Sequence, residues 1–335
     1  MSVLVVGEAL VDLIVSPDGS LEAVPGGGPF NLARTAARLG VATAFGGGIS
    51  DDVFGRRIAA LLARDGVTTP VSPRTGRNTT LALAELDAGG AATYTFYVDG
   101  TAAAELHEGD VVIGTDVDVL AVGTLGLVVE PIASTVEALV ASAPERLLVF
   151  VDPNCRPSII ADDAAYRARL ARVLGRADVV KVSGDDLAYL DPDSDPVVVA
   201  GGLLDLGPRV VLFTDGGDAV RILTRDGEVV VPVPRVDVVD TVGAGDAFGG
   251  AFLAFWERAG HHRDDLADLD KVRAVVERAI VVAGITCTRP GADPPHLAEL
   301  PARPPPRSRV APRTDRLPPA NRSVRRVTRC SSLRA

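Results

Sequence analysis

The chain has 335 residues and a formal net charge of −10, which is length enough for one large α/β domain with a small appendage. Residues 301–335 hold ten Arg, no Lys and one acid, Asp315, so that stretch is +9 and residues 1–300 carry −19. A body this acidic repels a phosphate backbone and argues against nucleic acid as a partner. No run approaches the ~18 uninterrupted apolar residues of a bilayer span, so no membrane partner is expected.

In chain order, residues 3–6 form a short apolar run followed by Gly7 and Glu8, with no basic segment ahead of it. That opening does not read as a secretion signal, and the three widely spaced cysteines (Cys155, Cys287, Cys330) make neither a disulfide framework nor a metal cluster. A reducing cytoplasm is the expected location. Residues 10–15 and 21–24 read as paired strands around Pro17-Asp18-Gly19, and residues 79–85 and 92–97 as a hairpin around the turn at 87–90. Helices are expected at 29–39, with Pro near its first turn and Gly40 as its stop, and at 54–64 ahead of Gly66.

Further apolar runs at 117–122, 147–151, 179–182 and 210–213 have the continuous character of strands buried on both faces. They predict a mostly parallel sheet covered by helices, with the four alternating strands at about 10–24 and 79–98 as a small lid over the crevice at the strand ends. The composition breaks after Leu300 into Pro, Arg and Ser, so residues 301–335 read as a disordered tail and 1–300 as the folded domain.

Residues 236–253 carry the most chemistry. Gly243 and Gly245 permit a tight turn that aims free N–H groups at one point, and residues 247–256 follow as an apolar helix. An anion there gains from amides and helix dipole together, which suits a phosphoryl group in transfer. Asp246, at the helix start, would accept a proton from an alcohol in line with that group. Taken alone, Asp246 reads first as an ordinary N-cap.

The glycines lie too late in the chain for a dinucleotide fingerprint, and neither lysine, Lys181 nor Lys271, follows a Gly-rich loop as a P-loop requires. At the other end, Gly26-Gly-Gly-Pro-Phe-Asn31 precedes a helix and brings amides close to something compact and polar. Asp12, a carboxylate inside the apolar stretch 10–15, suits two sugar hydroxyls, or else a turn or strand edge.

The late run Asp240-Thr-Val-Gly-Ala-Gly-Asp-Ala-Phe-Gly-Gly250 and the early box at 26–31 resemble the ribokinase-like (PfkB) carbohydrate kinases, over residues 3 to about 300. The resemblance implies a three-layer α/β/α sandwich with a β lid, and ATP-dependent phosphorylation of a sugar hydroxyl. By it, Asp246 is the base, and Gly243, Ala244 and Gly245 form a backbone anion hole. Asp12, Gly27, Gly28, Asn31, Tyr97 and Arg156 become sugar contacts, although Arg156 reads equally as a helix cap or surface ion pair. The nucleotide falls to Lys181, Ser183, Asp186, Thr214 and Gly216 with Gly243 and Gly245.

Mg²⁺ is implied with ATP. Where the family often has Asn-x-x-Glu, this chain has Ser183-Gly-Asp-Asp186, a shorter carboxylate toward the magnesium waters. A K⁺ site through mostly backbone oxygens is implied at Asp240, Val242, Thr286, Arg289 and Gly291. Within the family, segments 25–31, 152–157 and 286–295 are most similar to fructokinases. 2-Keto-3-deoxygluconate kinase and ribokinase are the alternatives, and Val98 stands where many fructokinases and ketodeoxygluconate kinases show Arg. A sugar-binding regulator of the same fold would have lost the base or the glycine turn, and both are present. A homodimer through the exposed lid edge is a further expectation.

Overall fold

Short Val/Leu/Ile runs become strands here because every second side chain finds a different helical layer. In the computed structural model, which describes residues 2–71, 74, 76–86 and 92–301, Val3, Val5, Val119, Ala121, Leu148 and Phe150 point to one side of a large sheet. Leu4, Val6, Leu120, Val122, Val149 and Val151 point to the other.

The sheet has nine strands: β1 (Ser2–Val6), β4 (Ala42–Gly46), β5 (Val67–Thr68), β8 (Val119–Gly123), β9 (Leu148–Asp152), β10 (Val179–Ser183), β11 (Val210–Asp215), β12 (Ala219–Thr224) and β13 (Gly227–Pro232). Their order is β13-β12-β11-β10-β9-β8-β1-β4-β5. Pairing is parallel from β5 to β11, and β12 and β13 close that edge antiparallel.

Helices α1 (Gly28–Arg38), α2 (Val53–Arg64), α7 (Ala244–Arg258) and α8 (Leu269–Cys287) cover the first face. Helices α3 (Ile132–Ser142), α4 (Asp163–Leu174), α5 (Gly184–Leu190) and α6 (Pro196–Leu203) cover the second. The three-layer sandwich is as expected. Helix α7 is the most deeply set, with Phe248, Phe252, Phe255 and Trp256 all buried. It crosses α1 where a Cβ on Gly250 would lie 2.5 Å from the Leu32 carbonyl oxygen, so only glycine allows the two backbones this close.

The lid is a separate sheet, β3-β2-β6-β7, made of β2 (Leu10–Val15), β3 (Leu21–Gly26), β6 (Leu81–Leu86) and β7 (Ala92–Tyr97). Two antiparallel hairpins, β2–β3 and β6–β7, are joined by a parallel β2–β6 ladder. Strand order on the large sheet reverses between β1 and β8, and the lid rises from β1 beside that switch point, where open α/β sheets bind ligands. The turn at 87–90, Cys330 and the tail from 302 onward lie outside the described residues. Among the described residues no helix is long and apolar enough to cross a membrane.

Candidate active site

Parallel pairing brings the C-terminal ends of β1, β8, β9, β10 and β11 to one edge of the sheet. Glu8, Thr124, the loop 152–156 and Ser183 follow from those ends. Helix α7 points its first turn at the same edge. Gly243, its N-cap, has φ +73°, a left-handed conformation that a side chain disfavours. The helix begins at Ala244, three residues before the start expected at 247, so Asp246 stands inside its first turn.

The first turn leaves amides without helical acceptors. Ala244 N–H donates to Thr241 O at 3.2 Å, so of the three residues expected to form the hole it contributes least. A Cβ on Gly245 would sit 2.9 Å from Lys181 Nζ. Lys181 itself is buried and paired with Asp152 Oδ2 at 2.9 Å. The ammonium therefore underlies the turn expected to form the anion hole.

Asn31 Nδ2 donates to Asp246 Oδ2 at 3.0 Å, while Asn31 Oδ1 is buried with no partner among the described residues and is placed to accept from a ligand hydroxyl. Burial raises Asp246 above the usual carboxylate range, opposed by the Asn31 bond and by the charges of Lys181 and Arg156. Burial likewise pushes Asp12 up to about 6, with Asp246 adding and Arg156 opposing. Arg156 Nη1 rests on the carbonyls of Asn154 and Cys155. Among the described residues Arg156 makes no ion pair, so its charge remains available to the crevice.

Gly28 marks the convergence. A Cβ there would lie 2.7 Å from Thr124 Oγ1, 3.3 Å from Asp246 Oδ1 and 3.5 Å from Asn154 Nδ2. Thr124 (φ +52°) and Asn154 (φ +40°) are both left-handed, a strained state that collects at functional sites. Neither was singled out from sequence, although Asn in Asp152-Pro-Asn154 is the residue type that tolerates this conformation. At Gly26 a Cβ would fall 2.1 Å from Asp12 Oδ2, so that glycine makes room for the carboxylate. The other missed group is Glu8, 1% exposed, its carboxylate set near the backbone amides of Glu8 itself and Gly126. Burial pushes it up to about 8.

The profile of the pfkB family of carbohydrate kinases matches residues 1–298. The chain belongs to that family. It is 35% identical over 257 residues to a fructokinase of Rhizobium leguminosarum bv. trifolii, covering 75% of this chain and 78% of the relative. It is 32% identical over 302 residues to fructokinase-1 of Oryza sativa subsp. japonica (86% and 92%). Among solved structures it resembles the ATP-bound fructokinase of Xylella fastidiosa, with TM-score 0.80 and 29% identity over 87% of this chain and 93% of that one. A Vibrio cholerae O395 fructokinase in fructose-, ADP- and calcium-bound form gives TM-score 0.77 at 28% identity over 87% and 94%.

Two expectations for this carbohydrate kinase need correction. Tyr97 was placed at the sugar, but the register Asp12↔Ala82↔Phe96 puts Tyr94 and Phe96 on the Asp12 side of the lid and Tyr97 on the opposite face. Phe96 packs toward Leu10, Ala82 and Leu125, and Tyr94, stacked on Phe96 at 6.0 Å, is raised by burial and by the charge of Asp12. Asp186 was expected to face magnesium waters. Instead its Oδ2 accepts from Ser183 N and Oγ, both at 2.7 Å, and its Oδ1 accepts from Cys155 N at 2.6 Å. The shorter side chain closes a capping box on α5 and ties it to the β9 loop.

The remaining residues expected at the nucleotide lie at the open edge. Thr214 and Asp215 end β11, and Gly216 (φ +52°) has open space around it. The residues expected around K⁺ come together between two loops. Asp240 accepts from Val242 N (2.9 Å) and Gly291 N (2.8 Å), Arg289 N donates to Thr286 O, and Asp240 N to Cys287 O. One carboxylate and the carbonyl end of α8 make this an oxygen-rich, negative corner that fits a hard cation. Among the described residues no three His, Cys, Asp or Glu side chains could hold a metal ion.

Proposed function

We propose that this carbohydrate kinase transfers the γ-phosphoryl group of ATP to a hydroxyl of fructose, with Asp246 as general base. The observation that carries the reading is Asp246 itself, held by Asn31 at 3.0 Å within the amide-bearing first turn of α7. One group accepts the hydroxyl proton while its neighbours hold the phosphoryl oxygens, as in-line transfer requires.

In the step, the hydroxyl oxygen bonds to the γ-phosphorus as its proton passes to Asp246, and the bond to the ADP oxygen breaks. First-turn amides and the Lys181 ammonium beneath Gly245 stabilise the charge on the transferring group. Asp12, Asn31 Oδ1, Asn154 and Thr124 orient the sugar, with Tyr94 and Phe96 covering it. Magnesium carried on the nucleotide phosphates neutralises their charge, and K⁺ fits beside Asp240 and the Thr286 carbonyl.

A neutral sugar suits this crevice better than an acid one. Asp12 and Asp246 both face Arg156, and an added carboxylate would be repelled by these two groups when ionised. Names of relatives point the same way. The test is ADP release with fructose, ribose, 2-keto-3-deoxygluconate, mannose and adenosine in Mg²⁺ and K⁺. Fructose is expected to give the highest kcat/KM, and absence of sugar-dependent ADP release would overturn the reading. Edge strand β7, with Tyr94 and Tyr97 43% and 54% exposed, is the surface through which two chains would pair, which sedimentation would test.

A further inference from the structure

Helix α1 does more than deliver Asn31. Asn31, Arg34 and Arg38 are spaced i, i+3, i+7 and share one face. Asn31 holds the base. One turn on, Arg34 Nη1 donates to Ala292 O at 3.3 Å. A further turn on, Arg38 Nη1 donates to Asp293 Oδ1 (2.6 Å) and to Pro294 O. Both guanidiniums meet Asp65, which caps the end of α2. Arg34 Nε hydrogen-bonds its Oδ2 at 2.7 Å, and Arg38 Nε lies 3.0 Å from the same oxygen as a charge contact. All three residues are buried, at 4, 7 and 7% exposure.

The loop they grip backs the anion hole. A Cβ on Gly243 would fall 2.4 Å from the Ala292 Cβ, and Gly291 N is bonded to Asp240 in the loop leading into α7. A displacement of residues 291–294 therefore reaches Gly243 without passing through the sheet. A buried ion network is a poor device for stability, because desolvation opposes the attraction and apolar replacements often serve as well. Its forked geometry is a good device for fixing distances.

We propose that Arg34, Arg38 and Asp65 form a positioning triad that clamps loop 291–294 against Gly243, so that one helix face braces both the Asp246 carboxylate and the turn that carries it. The proposal rests on the phosphotransfer reading above. Asp65→Asn, Arg38→Met, Arg38→Lys and the half-exposed Asp293→Ala are compared with the wild-type chain by steady-state kinetics, thermal unfolding and amide hydrogen exchange of peptides spanning 289–296. The mild Asp293→Ala guards against loss of folding in the buried variants.

Asp65→Asn and Arg38→Met should lower kcat by about 10–100-fold, the effect of misplacing groups by about 1 Å, with KM for sugar changed less than about threefold. Asp293→Ala should show the same pattern more weakly, and Arg38→Lys should recover part of the rate. Exchange at 289–296 should quicken in each case. Variants that lose only thermal stability, keeping kcat and exchange, would reduce the triad to a structural role and sink the proposal. So would a loss of kcat with exchange unaltered. A wild type without sugar-dependent ADP release would remove the function reading, and exchange alone would then decide the clamp.

Discussion

Replacing Gly250 with alanine adds one methyl group where α7 crosses α1, one helical turn beyond Asp246. Its Cβ would stand 2.5 Å from Leu32 O and 2.7 Å from Thr35 Cβ, whereas carbon and oxygen settle at about 3.3–3.6 Å. Both obstacles are in α1, so that helix must withdraw by about 1 Å. Asn31, one residue before Leu32, would withdraw with it, stretching its 3.0 Å bond to Asp246 to about 4 Å, beyond hydrogen-bond range. Alanine's better helix propensity contributes about 1 kcal/mol, against about 1–3 kcal/mol for overpacking. The net stability change is therefore small, while a 1 Å misplacement costs about 10²-fold in rate. ADP-release kinetics alongside urea unfolding reads both quantities. Gly202→Ala is the control: in α6 that glycine has open space around it, so stability should rise by about 1 kcal/mol with kcat unchanged. A Gly250→Ala enzyme with full kcat would refute the claim that α1–α7 contact positions the base.

Asp246→Asn should lower kcat by about 10²–10⁴-fold while thermal stability holds or rises, because a buried charge is removed; retention of the rate would take Asp246 out of the mechanism. A base at Asp246 must be ionised to act, and burial raises its pKa, so kcat/KM should fall as pH drops through a value above the ordinary carboxylate range. A pH profile whose acid limb lies at or below pH 4 would contradict this. Glu8 titrates near 8 folded against 4.5 as its ordinary value, so between those limits the folded state binds more protons. Wild-type stability should thus decline with rising pH by at most about 1.4 kcal/mol per unit, and urea unfolding of Glu8→Gln should show that slope flattened. Tyr94→Ala should raise the sugar KM and Tyr97→Ala should not, the reverse result placing the lid faces the other way round.

Strands with continuous apolar runs were legible because burial on both faces demands them: 117–122, 147–151 and 179–182 each lie within two residues of β8, β9 and β10. The glycine turn before Asp246 was legible for a similar reason, since a tight backbone admits few residue types. Strands β12 and β13 went unread, although their alternation around Asp226-Gly227 is a hairpin signal. Tyr97 was chosen over Tyr94 because strand facing depends on pairing register, which neighbours in the chain do not determine. Glu8 was missed because a buried carboxyl looks like an exposed one until its surroundings are folded. For Lys181, set inside the apolar strand 179–183, the signal was a charge where burial forbids an unpaired one, and Asp152, its partner, stands 29 residues away.

The parallel ladder between β2 and β6 pairs Asp12 with Ala82, about seventy residues apart, and the bond from Asn31 to Asp246 spans a far longer stretch of chain. Closing such loops is entropically costly and slow. Neither end of the crevice is assembled from chain neighbours alone: the lid waits for distant hairpins to dock, and the first turn of α7 meets Asn31, Lys181 and Ala292 only once α1, β10 and the loop after α8 are in place. The site is thus a late product of folding at both ends, and a half-folded chain has neither.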